Sequence, residues 1–357
     1  MQIALLVFVI SALTTYLATP LVIRFAHRFN LVDDPKKHVH PAIIHKKTIP
    51  RAGGVAIWAG IIISIFLFIP ITKPIIGLVS ALTLAMVVGV LDDRYDLSPY
   101  LRLASNLVVA LLVVGSGIGI GFIGSPFGGV LRLDQIVWNF NILGGSHSII
   151  VLADLFAIIW IVWVANMLNW SKGVDGQMPG IAAIAAAVLG IASLRFLPTD
   201  PTQITSVQLS AAAVGAAVGF IPFNWHPAKI FPGYSGSTVL GITIATLAIL
   251  SGAKVATAVL VMAIPMIDGA FVIFRRLASK KSPFFGDRGH LHHRLLGLGW
   301  SHQKIALFYW ILCAILGLAA LTLHSFEKFL GAIIILFWVL AVIVTFSLVP
   351  ILNKKKS

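Results

Sequence analysis

Eleven apolar stretches of near-membrane length, almost free of charge, constrain what this chain can fold into. A helix needs roughly 20 apolar residues to cross a bilayer. By that rule spans are expected at 3–23, 54–71, 73–91, 103–124, 149–169, 178–196, 207–223, 236–252, 254–274, 304–323 and 329–350. The expected fold is an all-α, polytopic integral membrane protein with about 11 transmembrane helices, forming one membrane domain over residues 1–357. Only 11% of residues are charged, against about 25% in soluble domains. The first apolar segment is too long for a signal-peptide core and no small-residue cleavage site follows it, so it reads as an uncleaved span. Residues 125–148 are apolar but rich in Gly and Ser, and are expected to form a loop or lie at the interface. Cys313 sits inside an apolar run and, as the lone cysteine, cannot form an internal disulfide.

The basic residues give an orientation. With the N-terminus outside, loops 24–53, 92–102, 166–177, 223–237 and 265–303 and the C-terminal lysines face the cytoplasm. The other side then keeps only Lys73, Arg132, Arg195, Lys254 and Lys328 of the 26 Lys and Arg. The net charge of +14 is therefore mainly a topology signal, with some attraction to anionic lipid. Basic residues spread over loops between spans argue against nucleic acid as a partner. The acids are more telling. Of only 12 Asp and Glu, eight lie in those loops or just inside their mouths: Asp33, Asp34, Asp92, Asp93, Asp96, Asp175, Asp268 and Asp287. Ionisable groups near lipid are costly, which makes the cluster a candidate site.

Each loop has a chemical and a plain reading. Asp92 and Asp93 are adjacent carboxylates at the end of a span; they suit a hard cation or a base, or they simply stop the helix at water. Asn166 and Asn169 share a helix face. Their amides can bind a uracil, a sugar or a phosphate, or hydrogen-bond between helices. Gly173 and Gly176 around Asp175 suit close backbone approach to a ligand. Asp268, about two turns before Arg275, is expected on the order of 10 Å inside its span, where it either acts in the site or pairs with an Arg or Lys. His290, His292 and His293, near Asp287, could be read as zinc ligands. With Arg288 and Arg294 flanking them, a cationic pocket for a diphosphate fits better, and a solvated basic loop is the plain alternative.

Five ordered motifs carry a resemblance. They are Asp33-Asp34-Pro35 through Pro50-Arg51-Ala52-Gly53-Gly54; Asp92-Asp93-Arg94-Tyr95-Asp96-Leu97-Ser98-Pro99; Asn166 and Asn169 with Gly173-Val174-Asp175-Gly176; Asn224 with Pro227-Ala228-Lys229-Ile230-Phe231 and Gly236-Ser237; and His290-Leu291-His292-His293. Over about residues 20–303 the chain resembles the polyprenyl-phosphate N-acetylhexosamine-1-phosphate transferases of the MraY, WecA and TagO type, and the WecA/TagO-like branch most. The resemblance implies a multi-pass enzyme of the bacterial cytoplasmic membrane, with its site facing the cytoplasm. It would transfer N-acetylglucosamine 1-phosphate, or a related amino-sugar 1-phosphate, from a UDP-sugar to undecaprenyl phosphate. UMP would be released and a lipid-linked surface glycan begun. Mg²⁺, with Mn²⁺ as a substitute, would be held by Asp92, Asp93 and Asp175. Asp92, Asp93 and Asp268 would be catalytic; Asn166, Asn169, Lys172, Asp175, Asn224, Arg276, His290, His292 and His293 would bind substrate. Apolar grooves between spans would hold the polyprenyl tail, and a homodimer is a candidate assembly.

Two positions depart from the family pattern. Lys172 stands where the third motif usually has an acid, and Tyr234 stands where the fourth has the Asp that ligates Mg²⁺. Three accounts compete: the metal binds through the remaining acids, Lys172 pairs the diphosphate directly, or the chain is a degenerate member that only binds lipid phosphate or UDP-sugar. A membrane transporter is the alternative from another class. It would call for charges in mid-span on several helices and inverted repeats, which the sequence does not display.

Overall fold

In the computed structural model, residues 2–34, 48–125, 127–142, 145–251, 255–283 and 289–354 are described. Arg288 and Asp287 of the expected diphosphate pocket lie outside them, as do Pro35 and most of the first motif loop. Thirteen helices dominate: α1 (Gln2–Arg28), α2 (Gly53–Phe68), α3 (Lys73–Tyr95), α4 (Pro99–Gly115), α5 (Val151–Trp170), α6 (Gln177–Leu194), α7 (Gln203–Asn224), α8 (Gly233–Leu250), α9 (Val255–Val261), α10 (Ala263–Ala278), α11 (Leu291–Gly297), α12 (His302–Thr322) and α13 (Ser325–Lys354). Among the described residues, seven helices are long and apolar enough to cross a membrane, or eight if the bent pair α9–α10 counts as one span. α2 and α4 are shorter apolar helices.

Helix ends follow local chemistry. Thr72 precedes α3, whose first turn holds Pro74, where its missing N–H is harmless. Ser98 caps α4, accepting from the Leu101 amide at 3.3 Å. Ser301 caps α12 in the same way, through the Lys304 amide at 3.3 Å.

Two expectations need correction. The span expected at 103–124 ends at Gly115, because the following Gly117, Gly119 and Gly121 alternate with Ile118 and Ile120 and disfavour a helix. Two antiparallel hairpins follow: β3 (Phe122–Gly124) with β4 (Val130–Arg132), and β5 (Val137–Ile142) with β6 (Gly145–Ile150). The stretch 125–148 is thus largely hairpin. The span expected at 254–274 is broken, with α10 turning 82° away from α9. Pro265 falls in the first turn of α10, the place where a proline starts a helix rather than continues one.

α8 is the axis of the bundle. Every residue from Gly233 to Ile249 is buried, packed against α2, α3, α5, α6 and α7. Two of its hydroxyls are satisfied within the helix: Thr238 donates to the Tyr234 carbonyl and Thr243 to the Val239 carbonyl, both at 2.8 Å. Outer helices show the opposite pattern. Leu5 and Leu17 of α1, Leu111 of α4 and Ile315 and Leu318 of α12 are exposed, as suits surfaces facing lipid.

Candidate active site

Backbone hydrogen bonds knit the motif loops together at one end of the bundle. β1 (Val32–Asp33) pairs with β2 (Ile49–Pro50). The Phe231 amide then donates to the Pro50 carbonyl at 2.8 Å, and the Gly54 amide to the Pro232 carbonyl at 3.0 Å. The first and fourth motifs, about 180 residues apart in sequence, therefore form one platform.

Asp93 anchors that platform. Its carboxylate, buried at the end of α3, meets the N-terminus of α8. It accepts from the Tyr234 amide at 2.7 Å, the Ser235 amide at 3.4 Å and the Ser235 hydroxyl at 2.7 Å. These are first-turn donors that a helix cannot satisfy itself, and the helix dipole favours the negative charge there. Gly233, at φ +70°, is required at the junction. A Cβ on it would strike the Arg51 carbonyl and the Asp93 carboxylate.

Asp92 points to a different partner. Its Oδ1 accepts from Arg102 Nε at 2.5 Å. Arg102 also approaches Asp96 at 3.7 Å, Asp96 approaches Arg51 at 3.3 Å, and Arg51 approaches Asp33 at 3.7 Å. The result is a chain of alternating charges along the platform edge.

Tyr234 is the hub between loops. Its ring is buried, with the Arg102 guanidinium 5.5 Å and the Lys172 ammonium 5.8 Å from the ring centre. The phenol donates to the Arg102 carbonyl at 3.3 Å. Lys172 is partly buried and has no hydrogen-bonded or ion-paired acceptor among the described residues. Burial lowers its pKa to about 8, opposed mainly by the negative charge of Asp93.

The third and fourth motifs meet at Asp175. His226 Nδ1 lies 2.6 Å from Asp175 Oδ2, the Ala228 amide donates to the same oxygen at 3.2 Å, and His302 Nδ1 is 3.7 Å away. The two imidazoles stack at 4.3 Å. Among the described residues, Asp175, His226 and His302 are the one group of three His, Cys, Asp or Glu whose ligand atoms lie within 4.8 Å of one another. By donor type such a set could hold a transition metal, although the 2.6 Å separation is that of a hydrogen bond.

Asn224, expected at the substrate, acts as a strut between the third and fourth motif loops. Its buried amide accepts from the Gly176 N–H at 3.0 Å and donates to the Ile230 carbonyl at 2.9 Å. Asn166 donates to the Val162 carbonyl of its own helix at 2.8 Å, and Asn169 accepts from Ser237 of α8 at 3.1 Å. The pair thus makes intrahelical and interhelical contacts.

Asp268 is buried as expected, but its partners are neither Arg nor Lys. His290 Nδ1 lies 2.9 Å from one oxygen, and the Leu291 amide donates to the other at 2.8 Å. Among the described residues the three histidines belong to no metal-ligand cluster; the His290 and His292 rings lie parallel at 5.5 Å, with Trp170 stacked on His290 at 6.3 Å. Burial, reinforced by His293 and His290, pushes the His292 pKa well down, so it adds no charge near neutral pH. Gly173 lies against this stack, and a Cβ there would strike the His292 ring. His293 packs beside His292 at 4.4 Å. Arg294 donates to the Gly289 carbonyl at 2.9 Å, and Arg276 donates to the Ser282 carbonyl at 2.7 Å, each shaping its own loop.

Among the described residues, Asp92, Asp93 and Asp175 do not form one ligand cluster. Asp92 serves Arg102, Asp93 caps α8, and Asp175 binds His226. The sequence singles out none of His226, His302, Arg102 and Ser235, nor the packing role of Tyr234; His226 lies inside the fourth motif, next to Pro227, whereas His302, just beyond the last motif, carries no local signal.

Residues 75–252 match glycosyl transferase family 4. The chain is 28% identical over 355 residues to the probable undecaprenyl-phosphate N-acetylglucosaminyl 1-phosphate transferase of Bacillus subtilis, covering 98% of this chain and 92% of that one. It is 30% identical over 381 residues to the decaprenyl-phosphate N-acetylglucosaminephosphotransferase of Mycolicibacterium smegmatis, covering 98% and 89%. The undecaprenyl-phosphate alpha-N-acetylglucosaminyl 1-phosphate transferase of Haemophilus influenzae is 28% identical, with 92% of each chain covered. The family match spans the second, third and fourth motifs, and the full-length similarities extend it to the first and fifth, so the chain belongs to glycosyl transferase family 4.

Proposed function

We propose that this protein transfers N-acetylglucosamine 1-phosphate from UDP-N-acetylglucosamine to undecaprenyl phosphate at the cytoplasmic face of the membrane, releasing UMP. One observation carries the reading: the first four motif loops are hydrogen-bonded to one another at one end of the bundle, through Phe231–Pro50, Asp93–Tyr234, Asn169–Ser237 and Gly176–Asn224, and the fifth packs on the third where the His292 ring lies against Gly173. Soluble and lipid substrates can meet only at such an end. An open groove of about 670 Å³ is lined by Trp160, Trp163, Met266, Phe271, Phe274 and Leu336 among others. Its apolar walls suit a polyprenyl tail. The bend between α9 and α10 helps frame it.

The residues then divide the work. Asp92 positions the Arg102 guanidinium, and Arg102 with Arg51 supplies the donors that orient the attacking lipid phosphate. Asp268 fixes Nδ1 of His290 and leaves Nε2 to meet the sugar phosphate. Asp175 and His226 join the third and fourth motif loops, where the nucleotide sugar would bind. A divalent cation in the Asp92, Asp93 and Asp175 set does not fit, because each carboxylate already serves another partner and an ammonium stands among them. The side of the membrane rests on the distribution of Lys and Arg.

The test is release of UMP from UDP-N-acetylglucosamine by purified protein with undecaprenyl phosphate in detergent. Release that requires the lipid supports the transfer. Nucleotide-sugar binding without release would favour a binding-only relative, the reading to which Lys172 and Tyr234 lend weight.

A further inference from the structure

The least explained group at this site is the ammonium of Lys172. It sits in the loop between α5 and α6, partly buried, with no protein acceptor for any of its three N–H donors among the described residues. Its one close partner is the face of Tyr234, 5.8 Å from the ring centre. The Tyr234 backbone is fixed by Asp93, and the phenol by Arg102. The ammonium is therefore held by a rigid pillar, beside Asp93 and Asp92 but paired with neither. Its donors lack a protein acceptor among the described residues and stay partly open to water, so an anion that displaces that water can pair with the ammonium directly.

We propose that Lys172 binds the diphosphate of the nucleotide sugar in place of a divalent cation, so that the diphosphate is bound and transferred without one. This rests on the functional reading above. Its chemistry is balanced without further reagents. An oxygen of the lipid phosphate forms a bond to the β-phosphorus. The bond from that phosphorus to the bridging oxygen breaks, and the bridging oxygen leaves with UMP, taking the electron pair. No proton need move if the attacking phosphate is a dianion. Charge gathers on the diphosphate oxygens as that bond breaks, and a fixed ammonium stabilises it as a metal would. The side chains support the exchange of one cation for another. A neutral phenol and an ammonium occupy this corner, Asp93 is saturated by the N-terminus of α8, and Asp92 is bound to Arg102, so no cluster of hard ligands remains for Mg²⁺.

The test is binding of UDP and of uridine to the purified protein in detergent, with EDTA or with excess Mg²⁺, followed by transfer assays under the same two conditions. Wild type is expected to bind UDP equally well in both conditions. Lys172→Met should weaken UDP by about 10- to 100-fold while leaving uridine affinity unchanged, which shows the pocket still folded. Lys172→Arg should retain most of the UDP affinity. UDP binding by wild type that appears only with Mg²⁺ would overturn the proposal and leave the transferase reading standing. So would equal UDP affinity in wild type and Lys172→Met. Absence of UDP and uridine binding under every condition would overturn the nucleotide-site reading itself, and this assignment with it.

Discussion

Removing the carboxylate of Asp93 should unfold the site before it alters the chemistry. In Asp93→Ala, the Tyr234 amide, the Ser235 amide and the Ser235 hydroxyl lose their acceptor at a buried helix N-terminus. Hydrogen bonds to a charged group contribute about 1.5–3 kcal/mol each, and the charge–dipole interaction adds up to about 2 kcal/mol in a partly buried setting. These contributions overlap, the 3.4 Å contact is weak, and burial, which raises the Asp93 pKa to about 6, offsets part of the charge's share; a combined loss of about 3 kcal/mol is expected. Asp93→Asn keeps an acceptor for the Tyr234 amide, and the Ser235 hydroxyl can turn to accept from the new NH₂, so it should lose only about 1–2 kcal/mol. Asp92→Ala makes the contrast. Its partner Arg102 is 30% exposed and can turn to water, so about 1 kcal/mol or less is expected. Unfolding in detergent, followed by tryptophan fluorescence, would rank the three variants. Stability of Asp93→Ala equal to wild type, or equal losses for the Ala and Asn variants, would refute the capping argument and return Asp93 to a purely chemical role.

Asp92→Asn and Asp268→Asn should remain folded yet lower turnover on the order of 10²-fold; near wild-type turnover in both would place the chemistry elsewhere. With its pKa lowered from 10.5 to about 8, Lys172 should lose its proton as pH rises through 8, and kcat/KM should fall there in wild type but not in Lys172→Met. The same shift means that folding carries a charge-burial cost below pH 8, up to about 3 kcal/mol, which fades as pH climbs from 8 towards 10.5; stability that declines over that window would contradict it. Lys172→Asp combined with Tyr234→Asp should make UDP binding depend on Mg²⁺, checked by the same binding titration, because two hard anionic ligands replace an ammonium and a phenol. A cysteine introduced as Ser282→Cys should stay unlabelled by an impermeant maleimide added to intact cells; labelling from outside would invert the topology.

Much of this protein was determined by its sequence. Uncharged apolar runs of near-membrane length satisfy their backbone in lipid as helices, and Pro70 and Pro74 set where α2 stops and α3 starts. The scarcity of acids marked the site, since a carboxylate persists beside lipid only where something holds it. Local pattern could not reveal what holds each one. Asp92 and Asp93 are neighbours in sequence and look interchangeable, but successive residues on a helix point about 100° apart. One therefore faces Arg102 and the other the N-terminus of α8, whose residues lie about 140 positions away. The break between α9 and α10, the strut made by Asn224, and the stacking of His226 on His302 belong to the same class. Hydropathy reads how far a segment is from water, whereas these features depend on which distant segment arrives opposite. The meaning of Lys172 and Tyr234 was decided in that way too: two separate departures in sequence become one ammonium seated on one ring only when α5 and α8 pack side by side.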